Sequence, residues 1–191
     1  MTWRGLYNTC AHEGHTCYNS NMHRVVPELI LENYRAGRFS GEFPAVGMFL
    51  DLSGFSKMTD TLMQHGQHGA EVLASLMYGV FDPLVRNIFE YGGRIVSFAG
   101  DGIMALFGAP IALEDAPQRA IRSIHRGMAK FNQKLKQEKD NIPPLKMRIG
   151  VHTGPVVVGT LGNDLRVEFK AVGDTVNLAS RMEGLAEPGT T

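Results

Sequence analysis

Cysteine is scarce in this chain of 191 residues, which contains only Cys10 and Cys17. Two cysteines cannot form the set of cross-links that holds small secreted domains together, so the sequence indicates a reducing compartment. The N-terminal residues also lack the apolar core of a signal peptide. We therefore expect a cytoplasmic protein.

An excess of either charge is also absent, because 19 lysines and arginines balance 19 aspartates and glutamates. A neutral chain offers no basic surface for nucleic acid or acidic lipid, and we expect neither as a partner. No uninterrupted apolar run reaches the length that a bilayer requires, so we expect no membrane segment. The chain is long enough for one domain with a full hydrophobic core.

Residues 1–43 show little periodicity, and we interpret them as a tail followed by a lead-in helix over residues 25–36. Four residues of the tail are of the type that binds zinc: Cys10, His12, His15 and Cys17. Each cysteine is separated from its nearest histidine by one residue, whereas zinc ligands are usually two to four residues apart. A solvated tail is the favoured interpretation, and zinc binding remains an open alternative.

Residues 44–191 contain alternating strand and helix patterns. We predict a first strand over residues 45–52 and a long helix with one apolar face over residues 70–91. The turn at Gly100, Asp101 and Gly102 joins two short strands into a hairpin. A second helix and further strand segments follow, and a last helix covers residues 175–183.

The predicted order of the main elements is strand, helix, strand, strand, helix, strand. This order predicts an α+β fold with a ferredoxin-like βαββαβ core, in which both helices pack on one face of an antiparallel-containing sheet. We also predict that residues 152–155, which include a glycine and a proline, interrupt the strand material after the second helix. The arrangement places the end of the first strand beside the hairpin.

Asp51 stands at the end of the first predicted strand, just before a turn of small residues. Ligands of open sheets bind at strand ends, and amides at the start of a helix attract anions. The hairpin brings Asp101 beside Asp51, and two close carboxylates favour a cation between them. The sequence thus favours a metal–nucleotide site, although Asp51 alone can be a helix cap and Asp101 alone a turn residue.

The last predicted helix carries Asn177 and Arg181 four residues apart, so both side chains lie on the same face. An amide can orient a ligand, and a planar guanidinium matches phosphate oxygens. A surface polar pair is an equally good interpretation of these two residues alone. Arg148 is a candidate second phosphate contact, with an ordinary arginine at the rim as the favoured alternative.

Four stretches together resemble the catalytic domain of class III adenylate/guanylate cyclases, from about Pro44 to Thr191. They are FLDLSGFS at residues 49–56, FAGDG at 98–102, MRIGVHTG at 147–154 and VGDTVNLASR at 172–181. The first stretch is especially similar to the soluble, bicarbonate-responsive branch, so the resemblance implies regulation of that type.

The resemblance also implies roles for individual residues. Two Mg²⁺ or Mn²⁺ ions would be bound by Asp51, Asp101 and the backbone carbonyl of Leu52. The triphosphate of ATP or GTP would be bound by Arg148 and the amides of Gly54, Phe55 and Ser56. Asn177 would orient the ribose, and Arg181 would stabilise the α-phosphate in the transition state.

The family works as a head-to-tail homodimer, in which one subunit supplies the metal-binding acids and the other the Asn/Arg pair. The implied reaction is attack of the ribose 3′-oxygen on the α-phosphorus, which gives a 3′,5′-cyclic nucleotide and pyrophosphate. The family domain also continues beyond residue 191, and we therefore expect the chain to be a fragment with weak activity.

The sequence departs from the family at the two positions that read the base, which are Ser97 and Lys170 here. Adenylate cyclases usually have Lys at the first position and Asp or Thr at the second. Lys has only donors, so Lys170 suits the O6 acceptor of guanine better than the amino group of adenine. Adenylate cyclase is our prediction because most of the family makes cyclic AMP. The alternatives are a guanylate cyclase or a non-catalytic nucleotide-binding or dimerisation domain.

Overall fold

The computed structural model describes residues 40–109, 112–137, 145–162 and 167–191. The helices and strands in these ranges are, in chain order, β1 Ser40–Ser53, α1 Phe55–Met63, α2 Gly66–Glu90, β2 Gly93–Ala99, β3 Gly102–Phe107, α3 Ala116–Gln137, β4 Lys146–Gly162, β5 Val167–Val172 and α4 Asp174–Leu185. The lead-in helix and the Cys/His segment of the tail lie outside the described residues.

The five strands form one sheet in the order β2-β3-β1-β4-β5, and all neighbouring pairs are antiparallel. β1 is central, so Val46 lies opposite Phe107 of β3 on one side and opposite Thr153 of β4 on the other. The arrangement of β1, β2, β3 and β4 confirms the predicted ferredoxin-like α+β core.

One face of the sheet carries the main hydrophobic core. Alternate residues of β1 point to this face, as the two-residue period of a strand requires, and they are Val46, Met48, Leu50 and Leu52. They pack with the buried stripes of the helices, which include Met58 of α1, Leu76, Val80, Leu84 and Ile88 of α2, and Ala120, Ile124 and Phe131 of α3. The prediction that the two main helices share one face is confirmed.

The last helix, α4, packs on the opposite face of the sheet, which the order of elements did not reveal. Its buried Val176 belongs to a second hydrophobic cluster on this opposite face. The strand residues of the cluster include Ala45, Met104, Leu106, Val156 and Val158. Val96 of β2 and Ala171 of β5 come from the two edges of the sheet and belong to this same cluster. Their contact with one cluster shows that the sheet is curled.

The contact between α4 and β4 depends on a glycine. A Cβ atom at Gly150 would overlap the carbonyl oxygen of Ala179 and the backbone nitrogen of Glu183. Ala179 is itself fully buried. Small residues on both elements therefore let the backbone of α4 lie directly on β4, which fixes the position of that helix on the sheet.

Residues 152–155 do not interrupt β4, which is one continuous strand of 17 residues. Pro155 lies opposite Pro44 of β1. Two prolines can face each other at a pair that exchanges no N–H···O bonds, since neither can donate one. The same strand pairing extends β1 back to Ser40, five residues before its predicted start.

By length and composition alone, one helix of the described residues, α2, can cross a bilayer. The sequence alone led us to expect no such segment. Four residues of α2 are buried in the main core against the sheet: Leu76, Val80, Leu84 and Ile88. A core helix of a globular domain can meet the same criterion, and 28% of the apolar window of α2 is buried.

We predict that Gly150→Ala destabilises the domain by about 1–3 kcal/mol, because the added methyl group forces α4 away from β4. Urea unfolding monitored by circular dichroism measures the change. Gly184→Ala on α4 is the control, since a Cβ there meets no atom within 4 Å. The control should leave stability unchanged or raise it by up to about 1 kcal/mol. Equal stability of the two variants would contradict the prediction.

Candidate active site

β1 delivers Asp51 to the second face of the sheet, beside the hairpin of β2 and β3. Leu50 lies opposite Ile103 of β3, so the turn that contains Asp101 reaches the end of β1. A Cβ atom on Gly102 would lie 4.0 Å from Oδ1 of Asp51. The structure therefore places the two predicted acids side by side, although they are far apart in sequence.

The turn between β1 and α1 has the geometry of an anion-binding helix start. Gly54 precedes the helix with φ 93° and ψ −3°, a left-handed conformation that glycine adopts without strain. No side chain caps this end of α1, and its first turn contains no acidic residue. The amides of Phe55 and Ser56 lie at this helix start, where the helix dipole favours an anion.

The charge state of Asp101 reflects its surroundings. Burial raises the pKa of Asp101, and the charge of Asp51 raises this pKa further, while the charge of Arg148 opposes the change. The ionised form of Asp101 is therefore disfavoured in the folded protein. A cation near the two carboxylates would remove this penalty.

Arg148 lies directly opposite Asp51 in the β1–β4 pair. Its Nη2 donates to Oδ2 of Asp51 at 2.6 Å, and its Nε lies 3.3 Å from Oε1 of Glu183 on α4. The hydrogen bond to Asp51, together with the charges of Glu183, Asp51 and Asp101, raises the pKa of the Arg148 guanidinium. In this structure Arg148, which is predicted to contact phosphate, is thus hydrogen-bonded to Asp51, which is predicted to bind metal.

Glu183 is a site residue that the sequence analysis missed. Its side chain is 16% exposed, and burial raises its pKa while the charge of Arg148 lowers it. The sequence signal was weak, since Glu183 is one of several polar residues on the last helix. Only the crossing of α4 over β4 at Gly150 brings this carboxylate to Arg148.

Asn177 and Arg181 are both exposed on α4, whereas Thr175, Val176 and Ala179 are buried against the sheet. Within the residues that the structure describes, the side chains of Asn177 and Arg181 form no hydrogen bond or ion pair. They share one helix face, as predicted. The structure does not join them to the two aspartates of the same chain.

Ser97 and Lys170 are half-buried residues on the two edge strands. Ser97 lies opposite Met104 just after an irregularity in β2, and Lys170 lies opposite Gly159. The neighbouring residues Val96 and Ala171 both belong to the second hydrophobic cluster. The curl of the sheet therefore brings the two predicted base-reading strands towards each other.

The donor set of the site suits a hard divalent cation that a substrate helps to bind. In the described ranges, no group of three or more His, Cys, Asp or Glu side chains has the arrangement of a metal site. Asp51 and Asp101 supply carboxylate oxygens, and Mg²⁺ commonly needs just one or two carboxylates with substrate phosphates. The two acids and the adjacent helix start thus fit a metal–triphosphate ligand.

Comparisons with known proteins agree on one family. The family described as "Adenylate and Guanylate cyclase catalytic domain" matches residues 41–191. The chain is 32% identical over 168 residues to adenylate cyclase 1 of Rhizobium meliloti, covering 84% of this chain and 24% of that protein. It is 31% identical over 159 residues to adenylate cyclase of Anabaena cylindrica, covering 82% and 30%. The chain thus spans less than a third of the length of these relatives.

Guanylate cyclases are similar to a comparable degree. Receptor-type guanylate cyclase Gyc76C of Drosophila melanogaster is 33% identical over 175 residues, which cover 87% of this chain and 11% of that protein.

Two solved structures share the fold. The guanylyl cyclase Cya2 has a TM-score of 0.67 at 32% identity, with 78% of this chain and 74% of that chain covered. The adenylyl cyclase CyaB from P. aeruginosa has a TM-score of 0.64 at 29% identity, with 78% and 76% covered. With four matching motifs, the fold and these relatives in agreement, the chain belongs to the adenylate and guanylate cyclase catalytic domain family.

Proposed function

We propose that this domain is an adenylate cyclase that converts ATP to 3′,5′-cyclic AMP and pyrophosphate as a homodimer with two divalent ions per site. The observation that carries the proposal is the convergence of Asp51 and Asp101 beside the free helix start at Gly54. The first two relatives described above are named adenylate cyclases, which supports ATP as the substrate.

The metal-binding groups of the proposal are the carboxylates of Asp51 and Asp101 and the backbone carbonyl of Leu52. Mg²⁺ or Mn²⁺ bound there would supply Lewis-acid activation of the 3′-hydroxyl and would neutralise triphosphate charge. The burial of Leu52 in the main core anchors the end of β1, so that the backbone carbonyl and the neighbouring carboxylate keep a fixed position.

The triphosphate is bound, in this proposal, by the amides of Gly54, Phe55 and Ser56. Gly54 has no side chain to obstruct the ligand, and its left-handed conformation turns the chain sharply into α1. Arg148 lies close enough to the acids to meet the β- and γ-phosphates once they arrive. Catalysis is then mostly positioning and charge stabilisation.

Asn177 and Arg181 complete the site of the partner subunit in a head-to-tail dimer. Their exposure and their lack of partners in the described chain support this role. The 3′-oxygen attacks the α-phosphorus, the bond from that phosphorus to the bridging oxygen breaks, and pyrophosphate leaves with the electron pair. The hydroxyl proton passes to solvent. Arg181 stabilises the charge that develops on the α-phosphate, and Asn177 orients the ribose.

GTP is the second candidate substrate, and Lys170 is the observation that favours it. Lysine can donate to O6 of guanine but cannot accept from the amino group of adenine. Receptor-type guanylate cyclase Gyc76C is 33% identical to the chain, which is about as similar as adenylate cyclase 1 at 32%. A domain that binds nucleotide without turning it over is the third candidate, because Ser97 and Lys170 depart from the usual base-reading residues.

We further propose a cytoplasmic location, which rests on the scarcity of cysteine. Regulation of the bicarbonate type is proposed from the similarity of residues 49–56 to that branch of the family.

We predict that the protein incubated with Mn²⁺ and equal amounts of ATP and GTP forms mainly cyclic AMP, identified by mass spectrometry. The rate per subunit should rise with protein concentration, because each site needs two chains. Asp51→Asn should lower product formation at least about 100-fold, since it removes a metal-binding carboxylate. Cyclic GMP as the main product would show that the substrate is GTP and not ATP. Nucleotide binding without any cyclic product would favour the non-catalytic domain.

We predict that two inactive variants, Asp51→Asn and Arg181→Met, restore activity when their subunits are mixed and allowed to exchange. Half of the dimers formed are then mixed, and each of these has one intact site out of two. Activity should reach about a quarter of that of the wild type. Asp51→Asn mixed with Asp101→Asn is the control and should stay inactive, because every site then lacks a metal-binding acid. Failure of the first mixture would exclude a site shared between subunits.

We predict that Asp101→Asn stabilises the metal-free protein at pH 7. The raised pKa of Asp101 means that ionisation costs folding free energy, so wild-type stability falls as pH rises from the ordinary value of 3.8 through the raised value. The difference between variant and wild type should vanish at lower pH, where the carboxyl group is protonated in both states. Thermal unfolding across this pH range measures the effect.

Mn²⁺ gives the matching control for this prediction. It should stabilise the wild type at pH 7 and have much less effect on Asp101→Asn, because binding to the folded state requires the second carboxylate. Equal stabilisation of both proteins by Mn²⁺ would show that Asp101 is not a metal ligand.

A further inference from the structure

Arg148 lies between two carboxylates that come from different elements. Asp51 belongs to β1 and Glu183 to α4, and the guanidinium faces both. The side chains of Asp51, Arg148 and Glu183 are 27%, 30% and 16% exposed, so Glu183 is the most enclosed of the three. The link to Glu183 has no role in the chemistry described above.

The two contacts of Arg148 differ in quality. Nη2 and Oδ2 of Asp51 form a hydrogen bond of 2.6 Å. Nε of Arg148 and Oε1 of Glu183 are both buried and lie 3.3 Å apart, yet neither has a hydrogen-bond partner within the described residues. Buried donors and acceptors are rarely left unpaired. A small change in the orientation of the guanidinium would pair them, so Glu183 offers Arg148 a second binding position.

Arg148 competes with any cation for Asp51. A guanidinium keeps its charge at all accessible pH values, and it occupies a carboxylate oxygen that a divalent ion would need. Asp51 and Glu183 contact this fixed positive charge, and the charge of Asp101 also stabilises it. Two divalent ions added to Asp51 and Asp101 would repel Arg148 and displace it towards the remaining carboxylate.

Glu183 is held in place while Arg148 can move. Gly150 lets the backbone of α4 at Glu183 lie directly on β4. The hydroxyl of Thr175 donates to the carbonyl of Pro155 at 2.7 Å and fixes the start of the same helix. Arg148 has a long side chain and is the part of the pair that can change position.

We propose that Glu183 is a positioning residue that accepts Arg148 when divalent ions replace it on Asp51, and that it holds the guanidinium ready for the triphosphate. The inference rests on the proposed function, since it needs Asp51 to be a metal ligand. It assigns to Glu183 a role in metal exchange that is distinct from metal binding itself.

The test measures Mn²⁺ binding to the nucleotide-free protein from the electron paramagnetic resonance signal of the free ion. Arg148→Met should tighten binding about tenfold, because it removes the competitor for Asp51. Glu183→Gln should weaken binding about tenfold, because displaced Arg148 then has no carboxylate to accept it. In the Arg148→Met background, Glu183→Gln should change binding by less than about twofold.

Glu183→Asp separates positioning from simple negative charge, since it keeps the charge and shortens the side chain. We expect it to weaken Mn²⁺ binding as Glu183→Gln does. Wild-type affinity in Glu183→Asp, or an equal loss from Glu183→Gln in both backgrounds, would overturn the proposal. Weaker binding in both Arg148→Met and Glu183→Gln, together with lower stability in urea, would assign Glu183 a purely structural role and also overturn it.

Asp51→Asn distinguishes failure of this inference from failure of the proposed function. If the wild type binds Mn²⁺ and Asp51→Asn does not, the metal site stands and the Arg148 and Glu183 variants decide the inference alone. If the wild type binds no Mn²⁺, or if Asp51→Asn binds it as tightly, the proposed metal site and the exchange of Arg148 both fail.

Discussion

The balance of charge at the end of β1 is the constraint on which the site depends. Asp51, Asp101 and Glu183 converge there, and Arg148 is the fixed cation among them. The raised pKa values of Asp101 and Glu183 show that the folded protein holds these acids at a cost. Proteins retain such clusters mainly at functional sites, where a ligand or ion offsets the cost. The proposed metal–nucleotide chemistry gives this cluster a physical reason.

The fold supplies that cluster by using both faces of one sheet. The main core, with α1, α2 and α3, fixes the strands from one side. The other face is left to α4 and to the side chains proposed to bind the ligand, and Asp51 and Arg148 lie opposite each other there on adjacent strands. The close packing of α4 on Gly150 then sets where Glu183, Asn177 and Arg181 lie.

Much of this architecture was predictable because local patterns carry it. Apolar stripes at helical spacing predicted α2 and α3, and the Gly-Asp-Gly turn predicted the β2–β3 hairpin. The order of elements then required Asp101 to lie beside Asp51. Residues 152–155 misled the prediction, since a proline usually ends a strand, and only the pairing of Pro155 with Pro44 shows why β4 continues.

The sequence by itself determined the element order, the family resemblance, the acidic pair Asp51 and Asp101, and the polar pair Asn177 and Arg181. These features depend on residue type and spacing along the chain. Only the tertiary structure decided that α4 covers the second face and that Arg148 is shared between Asp51 and Glu183. Such contacts join residues that are distant in sequence. They are set by how closely two backbones can approach, which periodicity and composition do not encode.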